Sequence, residues 1–138
     1  MCNPVTTKHP EILLASGIHE GFEWEVTNNG IGYRCGYVRI PAGHPWHGSD
    51  YDSVEPCPAV HGGLTFAEHD TDCGKGGDDS AWWLGFDCAH AGDAPDYSLP
   101  GRDGRELRMA AFRGDTIKPT AYVEAECRSL AEQARRAA

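Results

Sequence analysis

No run of apolar residues in this chain approaches the roughly 18 that a membrane-crossing helix needs. The opening Met-Cys-Asn-Pro-Val-Thr-Thr-Lys-His-Pro lacks the apolar core of a secretory signal, so the expectation is a cytoplasmic protein with no membrane partner. Bases are scarce: 12 Lys and Arg stand against 21 Asp and Glu, a net charge of -9 over 138 residues. That balance excludes direct nucleic-acid binding through a broad basic face, and equally a basic helix lying on a membrane surface. None of the six cysteines, Cys2, Cys35, Cys57, Cys73, Cys88 and Cys127, forms a Cys-x-x-Cys pair, which removes zinc-ribbon and thioredoxin-like motifs. Without a signal sequence, reduced thiols are a better reading than a disulfide scaffold. Gly74-Lys75-Gly76-Gly77 lacks the phosphate-loop spacing. Asp50-Tyr51-Asp52 and Asp70-Thr71-Asp72 lack the following Gly and Glu of an EF-hand loop. There is no internal repeat, low-complexity tract or interdomain linker.

What is present is unevenly placed. Residues 50–96 hold 11 of the 21 acids and a single base, Lys75, so the acidity lies in one central, glycine-rich segment. Hydrophobic residues at 40% are enough for a modest core, while Gly 17 and Pro 9 predict many turns and few long helices. Phe22–Thr27 alternates apolar and polar residues, Asn28-Asn29-Gly30 favours reversal, and Tyr33–Ile40 reads as the returning strand. An antiparallel hairpin over 22–40 follows. Residues 1–17 read as a loose lead-in, Pro41–Pro58 as a long polar connection, and Ala59–Phe66 as a strand interrupted by Gly62 and Gly63. Glu68–Asp79 and Pro95–Gly104 read as loops, and Arg105–Phe112 is open between helix and strand. Ala81–Cys88 is the most apolar run and suits a central strand. From Thr120, Val123, Cys127, Leu130, Ala131 and Ala134 recur at three- and four-residue steps, predicting a helix over 120–136. Thr120 is placed to cap it, and Arg135 and Arg136 suit its C-terminal dipole. The expected architecture is one loop-rich α+β domain over 1–138. It has a mostly antiparallel sheet of about four or five strands and the C-terminal helix on one face.

Two short segments carry polar groups among small residues that admit close approach: His61-Gly62-Gly63 and Asp87-Cys88-Ala89-His90-Ala91-Gly92-Asp93. If their strands are neighbours, His61 meets Asp87 and His90. Asp87, His90 and Asp93 recur every third residue, and with His61 they form a nitrogen and oxygen set suited to zinc, manganese or iron. A divalent metal is therefore the one cofactor the sequence leaves room for, and none is named by a motif. Such a metal would polarise a phosphoryl oxygen or activate water. Without a metal, His61 or His90 is a candidate general acid or base, oriented by Asp87. The competing reading has Asp87 and His90 bonding the backbone at a strand end. Cys88 is a weak candidate nucleophile, because nothing nearby lowers a thiol pKa. Trp46, in a polar loop, and Trp83 are candidate stacking surfaces for a planar ligand, although one of Trp82 and Trp83 belongs to the core.

Val60–Phe66, Trp82–Asp93 and Val123–Gln133 together resemble a group of small proteins encoded by bacteriophages and prophages. The resemblance spans roughly residues 33–93 and the C-terminal helix. It implies expression inside an infected bacterium, where accessory proteins counter host defence or modify host processes. It implies no reaction. The leading expectation is thus a binding protein for a nucleotide-like small molecule or a host protein, with Trp46, His61, Gly62, Gly63, Trp83, Asp87, His90 and Asp93 as candidate contacts. The alternative is a metal-dependent hydrolase acting on a phosphoester or nucleotide through His61, Asp87, His90 and Asp93. An acidic mimic of DNA ranks last, because the acids are interspersed with Gly, His and Trp rather than set in rows.

Overall fold

The computed structural model describes residues 12–69, 81–99 and 114–138. The sequence expectations for residues 70–80, 100–113 and 1–11 lie outside the described residues. Among them are Asp70-Thr71-Asp72, the Gly74–Gly77 segment, the 105–112 element, Cys2 and Cys73.

Five strands form one antiparallel sheet: β1 (Ile12–His19), β2 (Phe22–Asn28), β3 (Arg34–Pro41), β4 (Phe66–His69) and β5 (Ala81–Asp87), in the order β1-β2-β3-β5-β4. A short parallel pair, β6 (Asp93–Ala94) with β7 (Thr116–Ile117), lies beyond β5, and the helix α1 (Thr120–Ala137) closes the chain. The chain is α+β, with the helix packed on one sheet face as the sequence predicts. Among the described residues no helix is long and apolar enough to cross a membrane.

The predicted hairpin is β2 and β3, in the register Trp24 to Val38 and Val26 to Gly36. Its reversal is built by asparagine side chains. Asn28 Oδ1 accepts the Gly30 N–H at 2.9 Å, and Asn29 Oδ1 accepts those of Ile31 and Tyr33 at 3.0 and 3.2 Å. Period-two alternation then divides the residues between two faces. Trp24, Val26, Val38, Ile40, Leu84 and Phe86 join Val123, Cys127, Leu130, Ala131 and Ala134 of α1 in one buried cluster. Gly36 lets this layer close tightly, since a Cβ there would stand 2.4 Å from the Phe86 ring and 2.7 Å from Cys127 Sγ. On the opposite face Cys35, Tyr37 and Trp83 form a second buried cluster, with Phe66 edge-on to Tyr37 at 5.2 Å.

Four expectations are corrected. Residues 12–17 are not a loose lead-in, because Ile12–His19 is the edge strand β1, joined to β2 by a tight turn with Glu20 and Gly21 both at positive φ. The strand expected over 59–66 is confined to β4 from Phe66, because Gly62 and Gly63 take φ of +69° and +81° and turn the chain. Thr120 does not cap α1. Pro119 occupies that position without a side-chain bond, and Thr120 Oγ1 instead accepts Arg34 Nε–H at 2.9 Å. Trp46 is 1% exposed and belongs to the core, with its indole N–H donating to Glu55 O at 3.0 Å, so it offers no open stacking face. Trp83 is likewise buried, at 2% exposure.

Candidate functional site

The site is made where β5 runs out. After Asp87 the chain stays paired for one more residue through Cys88 N–H to Arg34 O at 2.9 Å, then turns, with Asp93 N–H bonding His90 O at 2.9 Å. The segment before β4 lies alongside. Thr65 N–H bonds Gly85 O at 2.9 Å, and a reversal closed by Gly63 N–H to Val60 O at 2.9 Å aims His61 at the β5 end. Gly62 is where the two segments touch, because a Cβ on it would stand 2.3 Å from His90 Cδ2. The glycine therefore admits the histidine ring, and the positive φ favours it a second time.

His61, Asp93 and residues of the α1 approach form a continuous polar chain. His61 Nε2 is 2.8 Å from Asp93 Oδ2, and His61 Nδ1 is 2.9 Å from the Tyr122 hydroxyl. With Nε2–H donating to Asp93, Nδ1 accepts the Tyr122 proton. Asp93 Oδ2 also accepts the His90 backbone N–H at 3.0 Å. Lys118 Nζ stands 3.0 Å from Asp93 Oδ1. That contact is an ion pair without hydrogen-bond alignment, because the ammonium directs its protons to Thr116 Oγ1, Thr116 O and Gly92 O at 2.6, 3.0 and 3.3 Å. Asp87 and His90 make a separate, more open pair. His90 Nε2 lies 3.1 Å from Asp87 Oδ1, whose other oxygen accepts Thr65 Oγ1–H at 3.0 Å. The His61 and His90 rings are 6.2 Å apart.

Burial and bonding pull the local groups in different directions. Burial alone would raise the Asp93 pKa, but the His90 N–H, His61 and Lys118 outweigh it and hold the carboxyl below its ordinary value. The Cys88 thiol is pushed up to about 12, first by burial and then by the charges of Asp93 and Asp87, so it is not a nucleophile at neutral pH. The Tyr122 phenol is raised by burial and then by Glu126, so it stays a neutral donor.

The structure brings together His61, Gly62, Asp87, His90 and Asp93. Gly63 serves the same reversal, although its own Cβ position is open. Trp46 and Trp83 lie elsewhere in the core. The four polar residues pair off rather than facing one point, and among the described residues no group of three or more His, Cys, Asp or Glu stands in metal-ligating arrangement. The sequence reading missed Lys118, Tyr122, Thr65 and Arg34. Lys118 did carry a signal. A cation just before a helix N-terminus opposes the helix dipole, which implies a fixed anionic partner. Arg34 ties the same corner from below, bonding Lys118 O at 3.2 Å and pairing with Asp96 Oδ2 at 3.0 Å. Two shallow cavities lie instead at the C-terminal end of α1. One, of about 230 Å³, is lined by Trp46, Pro56, Cys57, Gln133, Arg136 and Ala137. The other, of about 350 Å³, is lined by Glu20, Glu132, Arg135 and Arg136.

Fold and site together define a small α+β protein with an internally bonded histidine–aspartate latch at one end of its sheet. No family model matches the chain, and no curated protein and no solved structure matches it.

Proposed function

We propose that this chain is a non-catalytic accessory protein of the bacteriophage type that docks a host protein, in the service of counter-defence, through the rim of the His61–Asp93–Tyr122 end. One observation carries the reading. The polar atoms of the latch are turned on one another, with the Asp93 side chain 1% exposed, while apolar and aromatic groups of the same corner face outward. Ile117 is 48% exposed, Tyr122 38% and Tyr97 37%. Ile117 adjoins Lys118, Tyr122 bonds His61, and Tyr97 follows the Asp96 that pairs with Arg34. A rigid polar latch beneath exposed aromatics is the anatomy of a protein-contact patch. Glu126 lies close enough to act on the Tyr122 phenol, and Asp115 stands two residues before Ile117, so the matching partner surface is apolar with a basic rim.

A nucleotide-like ligand fits less well, since its phosphates would face those carboxylates. The hydrolase alternative asks His61, Asp87, His90 and Asp93 to turn to one point, and here they pair off instead.

The test places a photo-crosslinking residue at 117, at 122, or at the comparably exposed Tyr51 control, in bacterial cells. Discrete protein adducts at 117 and 122 but not at 51 support the reading, provided the purified partner binds the wild-type chain and loses at least tenfold in affinity with Ile117→Asp. Equal adducts at all three positions, or none at 117 and 122 together with thermal stabilisation by a nucleotide, would overturn it.

A further inference from the structure

Most histidines among the described residues hold protein partners. His19 pairs with Glu132, His44 bonds Ala134 O and the Trp46 N–H, and His61 bonds Asp93 and Tyr122, while the buried His90 Nε2 makes no hydrogen bond but stands 3.1 Å from the Asp87 carboxylate. His47 and His69 differ. His47 Nε2 and His69 Nδ1 are both buried, and neither has a hydrogen-bond partner. A buried imidazole nitrogen left without a partner is costly, and two such atoms in adjoining rings need a common cause.

The two rings come from separate segments and are held independently. His69 ends β4, directly across from Trp82 on β5, and stands edge-on to the Trp82 ring at 4.6 Å. His47 comes from the loop after β3, which is fixed by His47 N–H to His44 O at 3.0 Å and Ser49 N–H to Trp46 O at 3.2 Å. The Trp82 indole N–H donates to Ser49 O at 2.9 Å and ties that loop to the sheet. The rings of His47 and His69 are 5.6 Å apart and inclined by 65°. Two imidazoles that each reach an ion over about 2.0–2.1 Å have ring centres about 5–6 Å apart.

We propose that His47 and His69 bind one divalent transition ion of the zinc type, at a place separate from the latch at His61. An all-imidazole donor pair suits Zn²⁺, Cu²⁺ or Ni²⁺ and not the oxygen-seeking Ca²⁺ or Mg²⁺. The pair supplies two ligands, and water completes the ion's coordination. The net charge of -9 favours cation binding. Bound there, the ion fastens the loop after β3 to the β4 end of the sheet. Binding weakens in acid, because protonated imidazole cannot ligate.

The test is titration of the full chain with Zn²⁺, read by long-range proton–nitrogen NMR of the imidazole rings and by thermal unfolding. The expected result is saturation at one equivalent, with the ring nitrogens of His47 and His69 moving first and the unfolding temperature rising. His47→Ala and His69→Ala should each weaken Zn²⁺ binding at least tenfold and remove that rise, whereas His19→Ala should leave both unchanged. The wild-type ring spectra decide the matter even if a variant folds poorly. Cys57 is an exposed free thiol and a rival ligand, so Cys57→Ser is titrated in parallel. Loss of the ring shifts in Cys57→Ser, earlier movement of His61 or His90, or unmoved His47 and His69 nitrogens would each overturn the proposal. The last outcome would leave the two rings as N–H contacts to aromatic faces.

Discussion

Asp93 and Glu25 are both shielded carboxylates near the same sheet, and their surroundings treat them in opposite ways. Asp93 meets a backbone N–H, a histidine and a lysine within 3.0 Å, and its pKa falls below the ordinary value. Glu25 projects from the middle of β2 on the face opposite the helix. Its Oε2 is buried without a hydrogen-bond partner, and burial, followed by the charge of Glu23, pushes its pKa up to about 7. Trp83 on that same face keeps an indole N–H equally unpartnered. Burial alone does not decide the charge state of a carboxyl; the supply of donors around it does. The latch end has organised donors, so the His61 and Asp93 side chains are held by partners inside the molecule, and under the proposed function the aromatic rim is what a partner meets.

The contrast can be broken most forcefully at the latch. Asp93→Ala leaves Lys118 and His61 without their buried anion and should cost about 3–5 kcal/mol of stability, measured by urea unfolding at neutral pH. A loss under about 1 kcal/mol would mean that the latch is an ordinary surface pair.

Glu25 answers to pH. Its folded pKa lies above the unfolded one, so its contribution is fully present below pH 4.5 and is lost as pH rises through about 7. Glu25→Gln should therefore gain stability relative to wild type as pH climbs from 4.5 to 8, by at most about 3 kcal/mol. Asp93 has the reverse sign. Its contribution is present above the ordinary carboxyl value and is lost as pH falls through its lowered folded value. A stability curve for Glu25→Gln parallel to wild type across that range would remove the contrast.

Two smaller substitutions sharpen it. Gly62→Ala imposes a positive φ on alanine and drives a methyl into the His90 ring, and should cost about 1–2 kcal/mol while shifting the His90 ring resonances. Tyr122→Phe removes only the hydroxyl bond to His61, for about 0.5–1.5 kcal/mol, and should move the His61 Nδ1 resonance while leaving that of His90 in place.

Much of this arrangement is legible in the sequence. The β2–β3 hairpin, β5 and α1 follow from period-two and period-3.6 patterning, which burial enforces along a whole element. The edge strand β1 was not legible because its pairing with β2 shifts between Leu13 and Ala15, and that bulge breaks the alternation by one residue. Gly62 and Gly63 were recognised as a point of close approach, yet they lie in a turn ahead of β4 rather than in a bulged strand. His61, Asp87, His90 and Asp93 were legible as polar residues framed by small ones. Their pairing was not, because Lys118 and Tyr122 reach Asp93 and His61 from the far end of the chain, and sequence spacing carries no record of that contact. Trp46 misled for a related reason. Its neighbours in the chain are polar, but its neighbours in space are the core.

The most direct test of a latch committed inside the molecule is a carboxyl carbon-13 NMR titration that follows Asp93 and Glu25 in one sample. The predicted result is an Asp93 midpoint below 3.8 and a Glu25 midpoint near 7. An Asp93 midpoint at or above 3.8 would contradict the account, because burial would then outweigh the His90 N–H, His61 and Lys118 that are held to commit that carboxylate inside the molecule.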